Sequence, residues 1–143
     1  MATKADMGVY LPHYMDLNLN WQTFNDSSLE LFPGLHLIHS PGHTPGLAVM
    51  MLHLKNSGTF ILTTDQYHVK ENFEGTPQGW LARDHSKIDR SALCVLIDVL
   101  RTDAWFRSHC MIKRLHQQYD AKICFGHDLE NLKSFKANPE FYS

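Results

Sequence analysis

A chain of 143 residues with 43% hydrophobic and 20% charged residues has the composition of one globular domain and excludes a disordered or low-complexity protein. A formal net charge of −2, with no basic run, leaves no electrostatic footprint for nucleic acid. The longest apolar run, 47–54, contains His53 and is far too short to cross a bilayer, and Met1-Ala2-Thr3-Lys4-Ala5-Asp6 is not an apolar leader, so the expectation is a cytoplasmic protein with no membrane partner.

The chain opens with little periodicity, although Tyr10, Leu11, Tyr14, Met15 and Leu17 have the spacing of a short amphipathic turn. After the turn cluster Asn25-Asp26-Ser27-Ser28 come two short apolar runs, Leu29–Phe32 and Leu35–His39, split by Pro33-Gly34 as in a hairpin. Leu47–Leu54 and Thr59–Thr64 predict a second pair of strands joined through Lys55-Asn56-Ser57-Gly58. A loop follows over Gly75–Trp80. Apolar residues over Ser91–Leu100 have helical spacing, and a second helix is predicted from an N-cap at Asp103 to Gln118, with Trp105, Phe106, His109, Ile112 and Leu115 on its buried face. Ala121–Phe125 reads as a strand, and Leu129–Lys136 as a last helix ended by Pro139. Strands first, then helices with a strand between them, argue for a layered α/β or α+β domain over 1–143.

Ten histidines against 13 Lys and Arg raise the expectation of metal or acid–base chemistry. Three cysteines, Cys94, Cys110 and Cys124, lack CxxC spacing and read as reduced thiols. Three segments each end an apolar run with a candidate ligand. In Ser40-Pro41-Gly42-His43-Thr44-Pro45-Gly46, two Pro-Gly pairs hold the imidazole on a rigid loop, which is what a metal ligand requires. In Leu62-Thr63-Thr64-Asp65, a carboxylate leaves a buried strand, where it must be paired or metal-bound. In Ile123-Cys124-Phe125-Gly126-His127-Asp128, glycine permits close backbone approach, and Asp128 is placed either to cap the last helix or to orient the imidazole. The purely structural readings are a turn histidine, a helix cap and a capping turn, respectively. His13, His36, His53, His109 and His116 read as structural, and Trp21, Trp80 and Trp105 as core or interface anchors.

Together these segments resemble the metallo-β-lactamase superfamily, in its branch of N-acyl homoserine lactone lactonases, from about Tyr10 to the end of the chain. The resemblance implies the C-terminal half of an αββα sandwich: a mixed sheet with helices on one side. It also implies zinc, two ions in the intact fold, with His43, Asp65 and His127 as ligands and Asp65 bridging. The implied reaction is hydrolysis of a small-molecule lactone or ester carbonyl by a metal-bound hydroxide. His68 stands near a position where bacterial lactonases of the branch carry a tyrosine that contacts the substrate carbonyl. It is therefore a candidate catalytic and substrate-binding residue alongside Asp65, or an extra ligand. Tyr67, Arg83 and His85 are further candidates for the substrate side.

Two departures accompany the resemblance. The family's HxHxDH motif is absent from the sequence, so the chain reads as truncated. The expected consequence is weak metal binding and low activity alone, with a homo-oligomer or a separate N-terminal half as partner. A non-catalytic remnant is the rival reading. Residues 86–102 read as an insertion relative to the family, either genuine or the product of a faulty gene model.

Overall fold

The structure, a computed structural model, describes residues 20, 22–74, 92–135 and 142–143, with residues 92–102 described by their backbone alone. The amphipathic turn expected near Tyr10, the 75–80 loop, Arg83, His85, Trp21, Trp80 and Pro139 lie outside the described residues.

The strands form where the apolar alternation predicts them. Strands β1 (Ser28–Phe32) and β2 (Leu35–His39) pair antiparallel across Pro33-Gly34. β3 (Ala48–Leu54) and β4 (Gly58–Leu62) pair the same way. The short strand β5 (Lys122–Cys124) joins β4 in parallel. The result is one mixed sheet in the order β1-β2-β3-β4-β5. Because side chains alternate along a strand, the register sorts the residues into two faces. On the inner face Ile38 lies opposite Val49, Met51 opposite Ile61, and Ile61 opposite Ile123. These residues, with Tyr67, Phe73, Trp105, Ile112, Ala121 and Phe125, make the buried core.

The core is closed by one long helix, not two. Helix α2 (Ala92–Tyr119) follows the short helix α1 (Lys70–Glu74) and runs without a break through the expected boundary at Asp103. No Gly or Pro interrupts 92–119, and the modest propensity cost of Thr102-Asp103 does not end a helix held by tertiary packing. Asp103 is not an N-cap: it is an exposed side chain that pairs with Arg107 one turn on, at 2.8 Å. Within 86–102, expected as an insertion, the backbone of 92–102 forms the first part of this helix, and 86–91 are outside the described residues. Trp105, Ser108, His109 and Ile112 form the buried stripe, while Met111 and Leu115 pack beside it. Phe106, expected on that stripe, is exposed because it lies about 100° around the helix from Trp105.

Helix α3 (Leu129–Lys133) is shorter than predicted, since the Ser134 N–H and hydroxyl both turn back to the Asn131 carbonyl. The histidines read as structural behave so where they are described: His53 bonds the Thr59 hydroxyl at 2.9 Å, and His116 bonds the Ala121 carbonyl at 2.7 Å.

The outer face of the sheet is also apolar. Leu29, Leu37, Met50, Leu62 and Cys124 share one cross-strand row, and Leu35, Leu52 and Phe60 share the next. Phe60 is covered by Phe135 and Tyr142, but Leu29 and Leu62 remain 38% and 36% exposed. Among the described residues, no helix is long and apolar enough to cross a membrane.

Candidate metal centre

The candidate ligands converge because three loops are fastened to one another at one end of the sheet. The His43 loop, between β2 and β3, is closed by Ser40 N–H donating to the Leu47 carbonyl at 2.8 Å. It is pinned to α2 by the Ser108 hydroxyl, which donates to the Pro41 carbonyl at 2.7 Å. Gly42 makes this contact feasible. Its φ of 152° is poorly suited to other residues, and a Cβ there would fall 2.6 Å from Cβ of Trp105. Gln66, fully buried, ties two carriers together: its side-chain amide bonds the Ser40 hydroxyl at 3.1 Å, and its backbone carbonyl accepts from the Trp105 indole at 3.1 Å.

Asp65 sits in a single 3-10 turn, Thr64–Gln66, immediately beyond β4. The turn starts from Thr64 in left-handed backbone (φ 49°), a conformation costly for a β-branched residue. Thr63 anchors it: backbone N–H and side-chain hydroxyl both donate to the Cys124 carbonyl at 3.0 Å. The next segment then pairs with the loop after β5. Gly126 N–H donates to the Tyr67 carbonyl at 3.0 Å, and His127 N–H to the His68 carbonyl at 2.9 Å. A Cβ at Gly126 would overlap the Thr64 carbonyl oxygen, so only glycine lets the His127 loop come this close to the Asp65 turn. Asp128 takes the capping position. Its carboxylate caps α3 by accepting from Asn131 N–H at 2.9 Å, and accepts from Lys70 N–H at 3.1 Å beside the His127 loop. These backbone donors, Asn131 first, hold the carboxyl below the usual range.

The two oxygens of Asp65 face different imidazoles. Oδ1 lies 2.9 Å from His127 Nε2, and Oδ2 lies 3.8 Å from His43 Nε2. His68 stands among them, its ring centroid 4.9 Å from that of His127 and 5.9 Å from that of His43, both edge-on. The side chains of His43, Asp65 and His127 are 35%, 47% and 63% exposed, so the cluster is open to solvent. One carboxylate among three imidazoles is a donor set suited to a divalent transition metal, and neutral imidazole and carboxylate are ordinary zinc ligands. Beside His127 a groove of about 440 Å³ opens between Leu62 and Cys124 of the sheet and Leu129 and Leu132 of α3.

Tyr67 does not line the opening. It is fully buried behind the cluster, with its hydroxyl 2.7 Å from His109 Nδ1. Burial, more than neighbouring Cys110, pushes the phenol far above its ordinary range. The same burial, with Lys113 nearby, lowers His109 to about 4. Trp105 stacks on His109 at 5.2 Å. The sequence misses the roles of Gln66, Ser108 and this Tyr67–His109 pair, since nothing but the folded contacts marks them. No disulfide joins Cys110 or Cys124.

The fold and the site together are thus a mixed sheet backed by a helix, with a His–Asp–His set gathered where β2, β4 and β5 end. No protein-family model matches the chain. Over 132 residues, 92% of its length, the chain is 30% identical to an N-acyl homoserine lactonase from a Bacillus species, covering 45% of that protein. It is 26% identical over 130 residues to the N-acyl homoserine lactonase AttM of Rhizobium radiobacter, covering 43% of it. Among solved structures, it matches an N-acyl homoserine lactone hydrolase with the product N-hexanoyl-L-homoserine bound at the catalytic metal center, with TM-score 0.67, 25% identity, and 94% of this chain against 46% of that one. A Bacillus thuringiensis AiiA variant with N-decanoyl-L-homoserine bound matches with the same TM-score of 0.67 and 25% identity. The chain is therefore similar to N-acyl homoserine lactonases in sequence and fold, and it spans about half the length of the curated relatives it matches.

Proposed function

We propose that this chain carries half of the metal centre of a lactonase-like hydrolase, acting on an N-acyl homoserine lactone or a similar small lactone or ester. The observation that carries this reading is Asp65, whose two carboxylate oxygens are each aimed at a different imidazole. Such a carboxylate could be shared between two zinc ions, which His43 and His127 would help to hold. When bound, zinc supplies a water ionised near neutral pH and a Lewis acid for the carbonyl oxygen. The chain's own residues hold the geometry: Gln66 and Ser108 fix the His43 loop, and Gly126 sets the His127 loop against Asp65. The apolar groove beside His127 suits the acyl chain of such a substrate. Arg83 and His85, outside the described residues, are proposed for the substrate side.

The partner we propose is a polypeptide corresponding to the other half of the relatives, bearing HxHxDH and covering the exposed apolar sheet face. That same face supports a second reading, a non-catalytic half-domain that only binds.

The test is to mix the chain with a separately expressed N-terminal half of the related Bacillus lactonase and zinc, and to follow opening of N-hexanoyl homoserine lactone by proton release. The reading expects a complex whose hydrolysis is lost in Asp65→Ala. A zinc-loaded complex without hydrolysis, or no complex at all, would overturn it in favour of the non-catalytic half-domain.

A further inference from the structure

We infer that Asp65, His68 and His127 form a three-ligand centre that this chain closes around one divalent transition-metal ion by itself. This rests on the reading of the cluster as a metal site but assigns the ligands differently, with His68 in and His43 out. One ligand atom from each of Asp65, His68 and His127 lies within 4.8 Å of the other two. In a tetrahedral zinc site with bonds of about 2.0–2.1 Å, donors sit roughly 3.3–3.4 Å apart, so the present separations need to close by about 1.5 Å at most. His43 is not in this set. Its Nε2 faces the far oxygen of Asp65, and its ring is a full ångström farther from His68 than that of His127 is (5.9 against 4.9 Å).

The three residues are also the ones whose backbones are locked together. His68 and His127 are adjacent across a 2.9 Å backbone hydrogen bond, and the Tyr67–Gly126 bond lies beside it. Asp65 precedes the buried pair Gln66 and Tyr67, which fix its turn from below. His43 comes from a separate loop, held by its own contacts to α2. A metal site gains affinity when its ligands need no reordering, and the backbone supplies that for Asp65, His68 and His127. Two imidazoles and one carboxylate, with His127 63% exposed, leave the remaining position to solvent. That is the pattern of a catalytic, not a structural, site, and it suits zinc, iron(II) or cobalt(II).

The experiment is a titration of the metal-free chain with Co²⁺, read by ligand-field absorption and by equilibrium dialysis, on wild type, His68→Ala, His68→Gln, His43→Ala and Asp65→Ala. Circular dichroism confirms that each variant folds, and His68→Gln keeps the side-chain bulk should His68→Ala not fold. The inference expects about one Co²⁺ per wild-type chain. Affinity should fall more than about 100-fold in the His68 and Asp65 variants, beyond the ~10–100-fold typical of losing a supporting contact, and about threefold or less in His43→Ala. Loss in His43→Ala with His68 variants unchanged would overturn the inference while leaving the His43–Asp65–His127 site standing. No Co²⁺ bound by the wild type would overturn both.

Discussion

Gly126 joins the fold to the candidate centre, and Gly126→Ala tests that connection. A Cβ at this position would overlap the Thr64 carbonyl oxygen and lie 2.9 Å from the Thr64 carbonyl carbon and 3.5 Å from the Tyr67 carbonyl oxygen. All three atoms are backbone, so no flexible side chain can yield. The Gly126 φ is outside the left-handed range, so the effect of alanine is steric and not a matter of backbone preference. Relief requires the His127 loop to move off the Asp65 turn by close to an ångström, straining the bonds from Gly126 N–H to Tyr67 and from His127 N–H to His68. Overpacking of this kind costs about 1–3 kcal/mol. The same shift opens the 2.9 Å His127–Asp65 contact and should weaken metal binding by about 10–100-fold, as removal of supporting contacts does. Urea unfolding should show a lower midpoint with an unchanged slope, and a zinc titration should show the affinity loss. Wild-type behaviour in both assays would refute the close approach of the two loops.

His109 makes the fold acid-sensitive. Its pKa is lowered from 6.5 to about 4 by burial and by Lys113, so the unfolded chain takes up a proton that the folded chain refuses between these values. Stability is therefore full above pH 6.5 and falls as pH drops toward 4, by up to about 3 kcal/mol at ~1.36 kcal/mol per tenfold. Urea midpoints at pH 7 and pH 4.5 should show this drop in wild type and a smaller one in His109→Gln; equal drops would contradict it. The outer sheet face should drive self-association in the absence of a partner, because Leu29 and Leu62 lie exposed on an otherwise apolar face. Sedimentation velocity should show concentration-dependent mass for the wild type and a monomer for Leu29→Lys/Leu62→Lys, and a monomeric wild type would count against an exposed face.

The sheet was legible in the sequence because its strands are short alternating runs bounded by Pro-Gly and Lys-Asn-Ser-Gly, signals local enough to survive without tertiary information. Helix boundaries were not: Asp103 has the chemistry of an N-cap, yet its role is decided by whether the chain around it is already helical and packed. His43, Asp65 and His127 stood out because glycine, proline and strand ends surround each one. Their mutual distances depend on contacts that no local pattern encodes, such as Gln66 reaching Ser40 across 26 residues. Tyr67 illustrates the limit in the other direction. Adjacent to His68 in sequence, it turns inward to His109, since extended backbone places neighbouring side chains on opposite sides.

The proposed centre depends above all on Asp65 as a metal ligand. Elemental analysis of the purified chain, wild type against Asp65→Ala, measures this without any assumption about substrate. The expected result is about one tightly held divalent metal per wild-type chain and none in the variant. Equal metal content in the two proteins, or none in either, would contradict it.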